Sequence, residues 1–265
     1  MQFPAKFKSS ESKLLLFNKI HPFLILSVFS LFLLGMTHPP LKKIDAIYFN
    51  ANSIEEFKQS EALILNSLNN FPNRTDLIWR LARNHFRIGK RTVDKKQKLS
   101  IFENCLNTAK KGIQISNNSA ENIYYMGLCL GNVSLQRGIF SSLSNRGTLE
   151  TSMQRVIEID PAVENAGPHR FLGVYYHVLP FFLGGDSEKS IHHLESAVTL
   201  APNFYENYFY LGKVYFDRGQ YSKASKTLKR YLQLAKTIKN DSELPKQVDE
   251  AQDMLTQIRT YLSTE

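Results

Sequence analysis

The sequence contains few of the residues and motifs that catalytic or metal-binding proteins depend on. Its 265 residues include two cysteines and one tryptophan, and Cys105 and Cys129 belong to no CxxC motif. Phosphate-binding loops, zinc-protease motifs and serine-hydrolase elbows are missing as well. Of the seven histidines, the neighbours His192 and His193 would point about 100° apart on a helix, so they cannot clamp one ion together. We therefore expect a protein that is not an enzyme, with no catalytic residues, metal or cofactor.

The charge is moderately basic, with 33 Lys and Arg against 24 Asp and Glu and a formal net charge of +9. Basic residues look scattered over solvated helix faces, without a stripe of arginines and aromatics, which argues against nucleic acid as a partner. Such a charge can still favour an acidic partner or an anionic membrane surface. The hydrophobic fraction of 43% is sufficient for a core and argues against wholesale disorder.

The N-terminus has the layout of an export signal. A basic region, residues 1–22, precedes an apolar segment, residues 23–36, and residues 37–53 are predicted to be a linker. The apolar run is shorter than the ~20 residues that cross a bilayer comfortably, and no small-residue cleavage pair follows it. We expect an exported, periplasmic or otherwise extracytoplasmic protein, and an uncleaved membrane anchor is favoured over a cleaved signal. In an exported domain, a disulfide between the two cysteines is an alternative to two buried thiols.

Internal repeats dominate residues 54–265. Leucine, glycine and tyrosine recur at the spacing of the tetratricopeptide (TPR) pattern W-x2-L-G-x2-Y, followed by A-x3-F and then P. The clearest units are Tyr208-x2-Leu211-Gly212-x2-Tyr215, His169-x2-Leu172-Gly173-x2-Tyr176, Ile123-x2-Met126-Gly127-x2-Leu130 and the weaker Ile78-x2-Leu81-Ala82-x2-His85.

These repeats predict the fold. One helix pair cannot bury its apolar face alone, so pairs stack, and the glycine lets the two helices of a pair approach closely. The glycines are spaced more widely than the usual period of about 34 residues, which indicates insertions near residues 134–148, 177–186 and 90–98. We predict an all-α, irregular TPR-like solenoid of about four helix pairs with a C-terminal capping helix, preceded by an N-terminal hydrophobic helix. In the second insertion, Asp186 is expected to cap the next helix.

A binding groove is predicted on the first helices of the pairs, which line the concave side of stacked TPRs. Its walls would be apolar with a few cationic groups, which suits an amphipathic or acidic peptide or an apolar anion. The predicted groove residues are Tyr124, Leu128, Arg170, Val174, His177, Phe209, Lys213 and Phe216.

The central part of the chain is more specific than a generic TPR. The pieces Gly167-Pro168-His169-Arg170, Leu179-Pro180, Gly184-Gly185-Asp186 and Leu200-Ala201-Pro202-Asn203 make it resemble the T component (TatT-like) of tripartite ATP-independent periplasmic (TRAP) transporters. This resemblance implies a periplasmic, non-enzymatic protein that associates with a solute-binding component and offers an apolar ligand path. The lipidated cysteine often found in that family is missing here. The eukaryotic regulator of microtubule dynamics proteins have a similar irregular repeat domain behind a hydrophobic segment and are the second resemblance.

The function expected from these features is that of an extracytoplasmic TPR-type binding scaffold. Its predicted partner is a protein, in the TRAP interpretation a periplasmic solute-binding protein, and the N-terminal segment would contact the membrane. Two alternatives stay open: a carrier of an apolar small molecule, and a membrane-anchored adaptor like the regulator of microtubule dynamics proteins. Homo-oligomerisation is also open.

Overall fold

The computed structural model describes residues 38–239, 241 and 243–264. The predicted basic region and the predicted signal or anchor segment lie outside the described residues. The described chain contains α-helices, one 3-10 turn and no strand, so the all-α prediction is confirmed. Across these same residues, none of the helices combines the length and apolar character needed to cross a bilayer. All of the helices belong to one compact unit, residues 41–265.

Twelve α-helices follow one another in the described residues. Their bounds are α1 Leu41–Asn50, α2 Ile54–Asn70, α3 Thr75–Arg91, α4 Lys95–Ile115, α5 Ala120–Arg137, α6 Ile139–Ser144, α7 Arg146–Ile159, α8 Val163–Val178, α9 Ser187–Leu200, α10 Tyr205–Asp217, α11 Tyr221–Ala235 and α12 Leu244–Thr264, with a 3-10 turn at Phe181–Leu183 between α8 and α9.

The helices form antiparallel pairs of the TPR kind. The pairs are α1/α2, α3/α4, α5/α7, α8/α9 and α10/α11, and α12 packs on the last pair. The first helices also contact one another in order, since α3 touches α5, α5 touches α8, α8 touches α10 and α10 touches α12. This double set of contacts is how repeats bury the apolar faces that a single pair leaves open.

The first pair differs from the expectation. Residues 41–50, inside the segment predicted to be a linker, form α1, so there are five pairs in the described residues where about four were expected. Ile44 of α1 is fully buried with Leu77 and Leu81 of α3. The segment is helical because its apolar side chains fall on one face. Pro39 and Pro40 directly precede its first residue, where proline is compatible with the start of a helix.

Glycines sit where the two helices of a pair approach each other. A Cβ on Gly127 would lie 2.4 Å from Met153 Cε, one on Gly173 2.4 Å from Leu194 Cγ, and one on Gly212 2.6 Å from Leu228 Cδ2. Real Cβ atoms do not approach other atoms this closely, so the repeat glycines are required by packing, as their spacing predicted.

Asp186 caps the helix that follows it. The carboxylate of Asp186 accepts hydrogen bonds from the backbone N–H groups of Glu188 and Lys189, both at 3.0 Å, so the predicted helix cap is confirmed.

Cys105 of α4 and Cys129 of α5 are buried and form a disulfide, with their Cα atoms 5.9 Å apart. The disulfide therefore links the second helix of one pair to the first helix of the next.

The repeat glycines generate a stability prediction. Gly212→Ala should lower the free energy of unfolding by about 1–3 kcal/mol, because its methyl group must displace Leu228. Gly147→Ala in α7 is the matched control, since its Cβ would meet nothing within 4 Å, and it should be neutral or stabilise by up to about 1 kcal/mol through helix propensity. Denaturant unfolding followed by circular dichroism measures both, and equal effects of the two variants would contradict the packing role.

Candidate binding site on the first helices

The structure places two of the predicted groove residues inside the protein. Tyr124 and Phe209 are buried. The hydroxyl of Tyr124 lies against Gly167 of α8, and the ring centroid of Phe209 is 5.2 Å from that of Tyr231 in α11. These aromatic side chains therefore fill the space between helices and are not presented on an open surface.

The three polar residues predicted for the groove connect successive first helices. His177 Nε2 of α8 lies 2.9 Å from a carboxylate oxygen of Asp217 in α10, and Lys213 of α10 pairs with Glu250 of α12. Arg170 donates to Asn207 Oδ1 at 2.8 Å and lies 3.3 Å from Glu206. All three side chains are engaged in contacts between neighbouring helices.

Arg170 also holds an unusual turn at the start of α8. Glu164, Asn165 and Ala166 have φ values of 48°, 59° and 59°, in the left-handed region that such residues seldom adopt. The guanidinium of Arg170 donates to the carbonyl of Asn165 at 3.1 Å. Its hydrogen-bonding capacity is thus largely occupied by the protein itself.

The remaining predicted groove residues are partly buried. Leu128 packs against the central core of the molecule, which includes Tyr125, Met153 and Leu172. Val174 is half-buried on α8, and Phe216 lies 5.9 Å from the ring of Tyr221. The eight residues therefore do not form one continuous open groove, and their part in binding stays a prediction.

His169 and His193 form a hydrogen-bonded pair. Nδ1 of His169 in α8 lies 3.0 Å from Nδ1 of His193 in α9, so the protonated nitrogen of one ring donates a hydrogen bond to the other ring. Burial and the neighbouring histidine lower the pKa of His193 to about 4, which keeps it neutral near pH 7. Among the described residues, no group of three or more His, Cys, Asp or Glu side chains could hold a metal ion.

The most concentrated charge on the first helices is on α3. We call Arg80, Arg83, Arg87 and Arg91 the arginine stripe. Their spacing of three and four residues puts the guanidinium groups on one face of the helix. The sequence expectation that no stripe of arginines and aromatics exists was therefore wrong for this helix.

The first half of the arginine stripe is paired with Asp45 of α1. Arg80 donates two hydrogen bonds to its carboxylate, at 2.9 and 2.7 Å, and Arg83 donates a third at 2.6 Å. Burial alone would raise the pKa of Asp45, but the hydrogen bonds and charges of the two arginines bring it below its ordinary value. Asp45 is therefore ionised, and it neutralises part of the stripe.

Aromatic rings surround the buried guanidinium of Arg83. Its Cζ atom is 3.7 Å from the ring centroid of Tyr48, 4.8 Å from that of Trp79 and 5.3 Å from that of Phe49. A weaker ion pair reaches Glu164 at 4.0 Å. Cation–π contacts of this kind favour a desolvated positive charge, so Arg83 is fixed in place.

The second half of the arginine stripe has no such partners. The Nε atoms of Arg83, Arg87 and Arg91 are all buried and donate to no acceptor in the described part of the chain. Arg83 is nevertheless paired with Asp45 through its terminal nitrogen, whereas neither Arg87 nor Arg91 forms an ion pair there. Their Cζ atoms lie 5.9 and 4.8 Å from the ring centroid of Phe57. Burial and the positive charge of Arg87 lower the pKa of Arg91, whereas Asp241 and Glu206 help to raise the pKa of Arg87 against the effect of burial.

Two unpartnered arginines beside an aromatic ring are suited to binding an anion. Guanidinium groups bind carboxylates and phosphates through paired hydrogen bonds, and Phe57 and Tyr48 supply apolar surface next to them. The sequence carried a signal for this site in the arginines of WRLARNHFRIGKR, residues 79–91, which recur at helical spacing. The total number of basic residues does not reveal this site, because only the spacing of three and four residues puts the arginines on one helix face.

Comparisons with known proteins agree with this architecture. The family described as regulator of microtubule dynamics protein 1-3 has a model that matches residues 41–177 and 186–259. Regulator of microtubule dynamics protein 3 of Mus musculus is 22% identical over an alignment of 238 positions, which covers 83% of this chain and 50% of that protein. The chain thus spans about half the length of this relative.

One solved structure supports the fold. A thermophilic TPR protein of Thermus thermophilus superposes with a TM-score of 0.60 at 16% sequence identity, over 80% of this chain and 96% of the other. This similarity identifies the TPR fold, and the TPR-like prediction is confirmed.

The contrast between the two halves of the arginine stripe predicts effects on stability of different size. Arg83→Met should lower the free energy of unfolding by about 2 kcal/mol, because Asp45 loses a hydrogen-bonded charge partner. Arg87→Met and Arg91→Met should leave it unchanged or lower it by less than about 1 kcal/mol, since neither substitution removes a hydrogen-bonded partner from an acid in the described residues.

Denaturant unfolding of the three variants checks this prediction. A loss at Arg87→Met or Arg91→Met as large as at Arg83→Met would contradict it, because both arginines would then be held by contacts within the protein.

Proposed function

The chain belongs to the family of regulator of microtubule dynamics proteins 1-3, and from this premise we propose that it is a non-enzymatic scaffold that binds an acidic segment of a partner protein on its arginine stripe. The TPR fold is typical of proteins that bind other proteins. The observation that carries the proposal is the unpartnered state of Arg87 and Arg91.

A site that exists only for stability would not leave these arginines without acceptors. Removing a guanidinium from water without providing hydrogen bonds costs free energy, as does placing two such groups close together. Such costs are found where a protein keeps residues for a function. A carboxylate brought by a partner would supply the missing acceptors and offset the burial and the repulsion by Arg87 that lower the pKa of Arg91.

The surroundings of the arginine stripe favour an extended segment with both acidic and aromatic side chains. Phe57 of α2 lies beside Arg91, and Tyr48 of α1 lies beside Arg83. The acidic residues Asp241 and Glu206 act on Arg87 from the C-terminal repeats, but Asp241 already accepts a hydrogen bond from Tyr205 and Glu206 pairs with Arg170. Against the effect of burial, both acids still raise the pKa of Arg87 through their charge, but neither accepts a hydrogen bond from it in the described residues. The donors of Arg87 are therefore open to an incoming anion.

The name of the relatives connects them with microtubule dynamics. We propose that the partner of this chain presents clustered carboxylates and takes part in microtubule dynamics. Because the chain spans about half of the mouse relative, this connection is a proposal for the chain and not a transferred activity.

The location and attachment expected from the sequence are part of the proposal. We propose that residues 23–36 attach the scaffold to a membrane, as expected for an adaptor of this family. A place beside a TRAP transporter, with a periplasmic solute-binding protein as partner, stays a prediction from the first resemblance. Family membership supports the second resemblance instead.

A carrier of an apolar anion is the second candidate function. The same pair of unpartnered arginines favours it, because an anionic headgroup would satisfy them as a carboxylate does. A peptide and an apolar anion would then compete for the arginine stripe.

Fluorescence anisotropy tests the proposal with the full chain in mild detergent. The probe is a fluorescein-labelled peptide of glutamate and tyrosine, and a peptide with glutamine in place of glutamate is the uncharged control. Arg87→Gln combined with Arg91→Gln should weaken binding by about tenfold or more, since two close charge pairs are lost. Raising the salt concentration should weaken binding of the unaltered chain.

The matched control variant is Lys95→Gln combined with Lys96→Gln. It removes the same charge from two exposed residues at the start of α4, and it should change affinity by less than about twofold. If both double variants weakened binding equally, the affinity would depend on net charge alone. That result would contradict a binding site at the arginine stripe.

A further inference from the structure

The two insertions that widen the TPR period expose large apolar side chains. We call the insertion patch the residues Leu135, Ile139 and Phe140 from α5 and α6, together with Val178, Phe181 and Phe182 from the connection between α8 and α9. Phe140 is 86%, Phe181 90% and Phe182 83% exposed. Single exposed apolar residues are common on protein surfaces, but several phenylalanines in neighbouring segments indicate an interaction surface.

The two insertions are joined to each other. The guanidinium of Arg146, just after α6, donates a hydrogen bond to the carbonyl of Leu183 at the end of the 3-10 turn. The hydroxyl of Tyr175 donates to the carbonyl of Arg146 at 3.3 Å. The apolar residues of both insertions therefore belong to one region of the surface.

The connection between α8 and α9 is a closed turn that holds its phenylalanines outward. The N–H groups of Leu183 and Gly185 donate to the carbonyl of Pro180, at 2.9 and 3.0 Å. A Cβ on Gly185 would lie 1.8 Å from the carbonyl oxygen of Leu179, so only glycine allows this closure. Because the backbone is fixed in advance, binding through Phe181 and Phe182 would lose little conformational entropy.

Family membership does not account for this turn. The family match stops at residue 177 and resumes at residue 186, so residues 178–185 lie between the matched segments. Neither the disulfide nor the arginine stripe involves the insertion patch. A separate role is needed to explain apolar side chains kept in water.

The charges around the insertion patch indicate what it contacts. Residues 134–148 contain Arg137 and Arg146 and no acidic residue. Arg137 pairs with Glu103, whereas Arg146 forms no ion pair among the described residues. The one acid of the other insertion, Asp186, is occupied in capping α9. Phenylalanines at the tip of a turn, next to an unneutralised arginine and small polar residues, fit the interface of an anionic bilayer.

We propose that the insertion patch docks this domain onto an anionic membrane surface, with Phe140, Phe181 and Phe182 inserted among the lipids and Arg146 at the headgroups. This contact is separate from any anchor in residues 23–36, because it involves the folded repeats themselves. It also does not require the proposed binding of an acidic segment on the arginine stripe.

Local fluorescence in the full chain tests the proposal independently of the N-terminal segment. The natural Trp79 is replaced by Phe, and a single tryptophan is introduced as Phe182→Trp or Phe140→Trp. Val93→Trp is the matched control, because Val93 is also apolar and 91% exposed but lies between α3 and α4, away from both insertions. Circular dichroism verifies that each variant is folded.

The variants are mixed with phosphatidylcholine vesicles containing about 30 mol% phosphatidylserine, with and without brominated acyl chains. In the Phe182→Trp and Phe140→Trp variants, emission should shift to shorter wavelength, and the brominated lipid should quench it at least about twofold. Emission of the Val93→Trp variant should not change. Vesicles of phosphatidylcholine alone should reduce both effects, because Arg146 then lacks an anionic partner.

Three results would overturn the proposal. Solvent-like emission from both insertion positions in the presence of vesicles would mean that the patch does not enter the bilayer. Equal quenching at all three positions would mean that the membrane contact is not located at the insertion patch. A wavelength shift without lipid that grows with protein concentration would assign the patch to a second copy of the chain.

Discussion

The ion pair between Asp45 of α1 and two arginines of α3 joins the first helix pair to the second. Beside it, Ile44 packs in one apolar cluster with Leu77 and Leu81, and the ring of Tyr48 lies against the guanidinium of Arg83. The carboxylate of Asp45 reaches only Arg80 and Arg83, so in the described residues the next two arginines along the helix have no hydrogen-bonded acidic partner. Their buried Nε–H groups are left without an acceptor.

Much of the fold could be predicted from the sequence because packing imposes a period. Gly127, Gly173 and Gly212 recur where a Cβ would collide with the paired helix, and this requirement appears directly in the spacing of the repeats. The cap at Asp186 was predictable for a similar reason, since a single carboxylate beside a helix start has a local effect. Helix α1 was missed because two prolines and a short apolar pattern look like a linker.

The binding residues were harder to predict, because equivalent positions in a repeat do not share equivalent neighbours. Phe209 occupies the offset expected to face a groove, but Tyr231 of α11 covers it. Arg170 occupies a groove offset too, but the left-handed turn before Pro168 and the side chain of Asn207 use its donors. Which side chains stay free depends on contacts between residues far apart in sequence, and the period of a repeat does not encode those contacts.

Direct observation of the arginine side chains tests the central claim, that Arg87 and Arg91 bind an anionic ligand. Nuclear magnetic resonance of the chain with 15N-labelled arginine resolves the Nε–H signals, which single substitutions assign. On titration with the glutamate and tyrosine peptide, the signals of Arg87 and Arg91 should shift and exchange more slowly with solvent. The Nε–H signal of Arg83 should stay unchanged, because its side chain is 3% exposed and its guanidinium is held by Asp45 and by aromatic rings. Unaltered signals from Arg87 and Arg91 at saturating peptide, or equal shifts at the exposed Arg155, would contradict the account.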